Sequence, residues 1–120
     1  MIENWIDAGL TLSRLRSAVE DASLRGWEVE ALVGLAPGRW NGFIVGRPLA
    51  AMTPLQETRA RLTLEMIVSM GRLLGCIGYV GEWLRAPAAA LDGQSPLSWT
   101  TEDLAYLRAV VRAIRNEVHG

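Results

Sequence analysis

The chain has 120 residues, of which 50% are hydrophobic and 21% charged, and 12 basic against 13 acidic side chains give a formal net charge of −1. This composition excludes a disordered tail and a collagen-like chain, and the length allows one domain or two very small lobes sharing a core. Cys76 is the single cysteine, which excludes an internal disulfide framework and a Cys-rich zinc site and points to an intracellular setting.

The N-terminal stretch carries acids at Glu3 and Asp7, where a secretory signal would carry positive charge. The most apolar stretch, Leu62 to Leu84, contains Glu65, Arg72 and Glu82. It therefore cannot supply the ~20 nearly uncharged residues of a membrane span. The expectation is a soluble, cytoplasmic protein with no membrane partner. The charge is unevenly spread: residues 31–64 hold four arginines (Arg39, Arg47, Arg59, Arg61) and one acid, Glu57. Every basic residue is Arg, which a GC-rich genome would explain as readily as function.

Taken in chain order, the pattern is helical almost throughout. Leu12, Leu15, Val19 and Ala22 recur at helical spacing, with polar residues between them. Thr11 or Ser13 can cap that helix and Gly26 ends it. A short helix follows over Trp27–Val33, punctuated by Gly34. In Leu35–Gly46, Pro37 suits a first helical turn, although Gly38 and Gly42 each weaken the helix by about 1 kcal/mol relative to Ala. Thr53-Pro54-Leu55-Gln56 is a start signal: Thr53 caps, Pro54 takes the first helical position, and Gln56 can complete a capping box. The long helix after it runs to about Leu74 and has too many apolar positions for one stripe, so it should be buried on more than one side. Ile77–Arg85 can form another short helix, which Ala86-Pro87 breaks. Asp92-Gly93 is a turn and Ser95-Pro96 a further helix start. The final helix is expected from Thr100 or Thr101, with Leu104, Leu107, Val111, Ile114 and Val118 forming one apolar seam and Arg108, Arg112 and Arg115 on another face.

The motifs of the common enzyme classes are missing. The sequence has no GxxxxGK loop, dinucleotide fingerprint, HExxH, CxxC or GxSxG. His119, the only histidine, is one residue from the C-terminus, where nothing would orient a catalytic base. Cys76 sits in an apolar run, where a buried structural thiol is expected. No catalytic residue, metal ligand or cofactor is expected, and the chain does not read as an enzyme.

Residues 27–46 can be laid on a helix-turn-helix plan. Ala31 would sit where two helices approach, Gly34 would form the turn, and Arg39–Val45 would be the recognition helix ending at Gly46. This resembles the Xre-type (phage repressor) helix-turn-helix. Arg39 and Asn41 are the polar residues such a helix offers to bases, with Arg47 just beyond it, and Arg39, Arg47 and Arg59 are candidates for phosphate contact. The alternative is a tri-helical packing unit that does not read DNA.

Residues 83–97 read WLRAPAAALDGQSPL. Trp83, Leu84, Pro87, Ala90, Leu91, Gly93, Pro96 and Leu97 stand in an order that resembles the signature of the Xre/MbcA/ParS antitoxin toxin-binding domain. Glu117-Val118-His119-Gly120 resembles that family's ending. The resemblance implies an all-α protein in which a helix-turn-helix-like lobe (residues 1–52) is joined by a long helix to a C-terminal toxin-binding lobe (53–120, with the signature in 83–120). It further implies a type II antitoxin partnered by a RES-domain toxin that acts on NAD. Arg108, Arg112, Arg115, Asn116, Glu117 and His119 would bind that toxin and block its NAD site. Arg39, Asn41, Arg47 and Arg59 would bind promoter DNA, with the chain acting as a homodimer. The competing reading is a stand-alone helix-turn-helix transcriptional regulator.

Overall fold

Most of the chain is helical, and each break falls where the backbone has a local reason to turn. The computed structural model describes the backbone of residues 2–49 and 51–119 and the side chains of residues 9–49 and 51–118. Among these residues it contains α1 (Ile2–Asp21), α2 (Gly26–Val33), α3 (Arg39–Ile44), α4 (Pro54–Leu74), α5 (Val80–Arg85), α6 (Pro96–Glu102) and α7 (Leu104–His119). Two 3-10 turns, Ile77–Tyr79 and Ala89–Leu91, join them, and the described residues form no strand. This is the all-α class the periodicity predicts.

The start of α4 follows its sequence signal closely. The Gln56 N–H donates to Thr53 Oγ1 at 3.1 Å, and the Thr53 N–H donates to Gln56 Oε1 at 2.9 Å. A cap of this kind is worth about 1 kcal/mol. Gln56 Nε2 also donates to Gly34 O at 2.9 Å, tying the start of α4 to the end of α2. Gly34 ends α2 in the left-handed region, at φ 84°, which a side chain would resist.

Three boundaries depart from expectation. α1 begins well before Thr11, so neither Thr11 nor Ser13 is a cap. It ends at Asp21 through a left-handed Ser23 (φ 57°), and the Leu24 N–H donates back to Val19 O at 3.1 Å, a Schellman-type closure. Gly26 therefore opens α2 instead of closing α1. The last helix begins at Leu104, not at Thr100 or Thr101. Thr100 is buried within α6 and donates its hydroxyl to Pro96 O at 2.7 Å. Asp103 is extended, and its Oδ1 accepts the Ala105 N–H at 2.8 Å, which restarts the helix.

α4 is the axis of the molecule, with α1, α2, α5 and α7 all packed on it. Ala60, Met66 and Ile67 of α4 are fully buried, together with Leu15 of α1, Leu32 of α2, Trp40 of α3, Leu84 of α5 and Leu107 of α7. All belong to one core, so residues 1–52 and 53–120 bury their apolar faces against each other. Each buried Leu, Ile or Met side chain among them contributes about 1.5–3 kcal/mol. The seam of α7 faces inward: Leu107, Val111 and Ile114 are buried, and Leu104 and Val118 pack against the core. Among the described residues no single helix is long and apolar enough to cross a membrane; α4 and residues 77–85 reach that length only together, across a bend of 112°.

Candidate functional site

Two surfaces carry the residues singled out by sequence. The first is the α2–α3 corner. Here α2 is a short helix, GWEVEALV, whose acids Glu28 and Glu30 are both buried. Glu30 Oε2 accepts the Trp40 backbone N–H at 2.9 Å. It thereby satisfies a free donor at the start of α3 and fixes the angle between the two helices. Trp40 itself is fully buried, with its ring centroid 5.4 Å from that of Phe43. Ala31 is exposed, so it is not the point of close helix approach. That point is Gly26, where a Cβ would collide with the Asn41 side-chain amide.

α3 is six residues long, under two turns. Arg39, Asn41 and Arg47 are exposed. The Asn41 amide rests against Gly26, and the Arg47 stem folds back toward Gly42, whose Cβ position lies 3.6 Å from Arg47 Cδ. Arg39 is left projecting from the start of α3.

Arg59 is not part of this surface, and its expected role as a DNA contact does not survive. It is 8% exposed, and its Nη1 donates to Leu32 O and Thr100 O, each at 3.2 Å. Both carbonyls lie in the last turns of their helices, α2 and α6, where the helix dipole is negative. The guanidinium joins two helix ends to α4, and its burial leaves little of it for a phosphate.

The second surface is the outer side of α7. Arg108, Arg112 and Arg115 recur at spacings of four and three, which places them on one stripe, with Asn116 beside it. All four are exposed, as is Glu117. Glu117 is two and a half turns from Arg108 and so projects to the other side of the helix. Arg115 is not isolated: its Nη2 pairs with Glu65 Oε1 on α4. The side chain of His119 lies outside the described residues.

The loop between α5 and α6 accounts for part of the 83–97 segment. Leu84, Pro96 and Leu97 are buried. The Ala88 N–H donates to Gln94 O, and the Gly93 N–H to Ala88 O, both at 3.0 Å. Asp92 (φ 56°) and Gly93 (φ 84°) make the tight return between them. This closed loop delivers the chain into α6 and α7.

Sequence reasoning missed the ion pair that holds this lobe to α2. Arg85, at the end of α5, clamps the buried Glu28 with two bonds, Nε to Oε2 at 2.8 Å and Nη2 to Oε1 at 2.7 Å. Nη2 also donates to Ser23 O at 3.0 Å, and the Arg25 N–H donates to Glu28 Oε1 at 2.8 Å. Burial pushes the Glu28 carboxyl up. The bonds from Arg85 and the Arg25 N–H, with the charges of both arginines, outweigh that, and its pKa lies below the ordinary carboxylate value. The bond to Glu28 raises the pKa of Arg85. The available signal was an acid at each of positions 28 and 30 in an otherwise apolar short helix. Among the described residues no group of His, Cys, Asp and Glu is placed to hold a metal.

Comparison with known protein families, with characterised proteins and with solved structures finds no match for this chain.

Proposed function

We propose that the chain is the antitoxin of a type II toxin–antitoxin system, binding a RES-domain toxin and sterically blocking the site where that toxin takes NAD. The observation that carries this reading is the C-terminal signature together with what it delivers. The Trp83–Leu97 segment turns the chain into α7, and α7 buries its apolar seam while Arg108, Arg112 and Asn116 stay exposed. A helix end so disposed can enter a partner's cleft without dismantling its own core. In this mechanism α7 and the tail fill the toxin's pocket, and exposed Arg112 and Glu117 form charge-assisted hydrogen bonds with its lining. Exposed Arg39, at the start of α3, and exposed Arg47, three residues past its end, support a second role in contacting phosphates of the operon's promoter, as a homodimer on a two-fold site.

The test is co-expression with the product of the adjacent gene, reading growth, complex formation and cellular NAD. A neighbour that halts growth and lowers NAD alone, and is bound and silenced by this chain, supports the proposal. A variant truncated after Ile114 should keep its helical circular dichroism and lose neutralisation. Full protection by the truncated chain, or a harmless neighbour that forms no complex, overturns it.

A further inference from the structure

α1 and α4 pack together but leave a groove of about 630 Å³ between them, open on its outer side. Its residues are not scattered. On α4 they fall at 61, 64, 65, 68, 69 and 72, and on α1 at 13, 14, 17, 18 and 21, each set a single helical face. Leu64, Val68 and Ile77 form an apolar floor that is only half-buried. Arg14, Arg61 and Arg72 stand exposed around it. None of the three takes part in an ion pair among the described residues. Of the two acids in the groove, Glu65 is held by Arg115, which leaves three arginines, with no ion pair among the described residues, against Asp21.

We propose that this groove seats an acidic amphipathic helix of a partner protein. Arg61 and Arg72 are eleven residues apart on one helix, a span of about 16 Å, or three turns. A helix of that length lays apolar residues at i, i+3 or i+4, and i+7 onto the floor. Its flanking carboxylates then meet the guanidinium groups in bidentate pairs. The groove is too open to enclose a small ligand, which needs roughly 70–90% of its surface covered. A nucleic-acid backbone would use the arginines but gain nothing from the apolar floor. The groove is built by α1, α4 and Ile77; from α7 it takes only the Arg115 that holds Glu65, and it does not rest on the toxin reading.

The probe is a synthetic peptide of about four helical turns, with Leu at the spacing above and Glu on both flanks. Its control has every Glu replaced by Lys. Each is titrated into the isotope-labelled full chain and followed by amide NMR shifts. The Glu peptide should bind at about 10–100 μM, with shifts centred on Ser17, Val68 and Ser69, and weaken as salt is raised. The double variant R61E/R72E should weaken it by about tenfold or more. The variant S17W leaves all three charges in place and should also block it by filling the groove. The spectrum of each variant without peptide reports its fold, and S17W carries the test should R61E/R72E fail to fold. The proposal is overturned by equal binding of the Lys peptide, by shifts mapping elsewhere, or by no binding at about 1 mM. It is likewise overturned if a random-sequence DNA duplex displaces the peptide from the same resonances, which would make the groove a polyanion site. Toxin neutralisation is not read in this experiment, so its result and that of the antitoxin test stand apart.

Discussion

Replacing Arg85 by Met removes the side-chain cation that clamps Glu28 with two hydrogen bonds while keeping an aliphatic side chain of similar reach. The Glu28 side chain is fully buried and that of Arg85 is 32% exposed. Removing one partner of a buried pair costs about 3–5 kcal/mol, because the other charge is left without compensation. The partial exposure of Arg85 lets water reach Glu28 in the variant, so the loss should fall near the lower end, about 3 kcal/mol. For a chain of 120 residues that corresponds to a fall in Tm of about 12 °C. The pH dependence is the sharper readout. In the native chain the Glu28 pKa is depressed, so its stabilisation is present above the unfolded carboxylate pKa and is lost as pH falls through the folded value. Without Arg85, burial dominates and raises the Glu28 pKa, so the variant protonates Glu28 earlier as pH falls. The gap between native and variant in urea denaturation should therefore be widest near neutral pH and should narrow on acidification. The double variant Glu28→Gln/Arg85→Met should recover part of the loss, since no buried charge remains. A loss below about 0.5 kcal/mol, of the size seen for exposed pairs, would refute the reasoning, as would a gap that does not change with pH.

Arg59→Met should destabilise the fold by about 2–3 kcal/mol in urea denaturation, because two carbonyls at helix ends lose a charged donor. If the chain binds DNA, the same substitution should leave the salt slope of binding unchanged, whereas Arg39→Ala and Arg47→Ala should each reduce it by about one counterion. Gly81→Ala should cost about 2 kcal/mol in thermal denaturation, since its Cβ would lie 2.8 Å from the carbonyl oxygen of Ala22, just past the end of α1. A neutral result there would mean that α5 can move away from the end of α1.

The α2–α3 corner shows where sequence reading succeeded and where it did not. Gly34, Gly46 and the polar residues Arg39 and Asn41 were all legible, because each marks a local backbone choice or an exposed position. The burial of Trp40 and the role of Glu30 were not. A carboxylate at position 30 looks like an ordinary surface acid until the Trp40 N–H is placed 2.9 Å from it. Arg59 misled for the same reason: within the sequence it is one of four arginines in a basic window, and only the convergence of two helix ends makes it interior.

What the sequence by itself determined is the set of local boundaries. Thr53-Pro54-Leu55-Gln56 starts α4, Gly34 stops α2 in the left-handed region, and Ser95-Pro96 starts α6. These depend on hydrogen bonds that close within a few residues, so the information lies in adjacent positions. Tertiary structure alone decided which charges are spent inside. Arg85 and Glu28 are 57 residues apart, and Arg59 reaches Thr100 across 41. The energy of an ion depends on every atom that replaces its water, and those atoms come from distant segments. The same holds for the α1–α4 groove: each helix shows its own face in the sequence, but only their packing angle leaves the space between them.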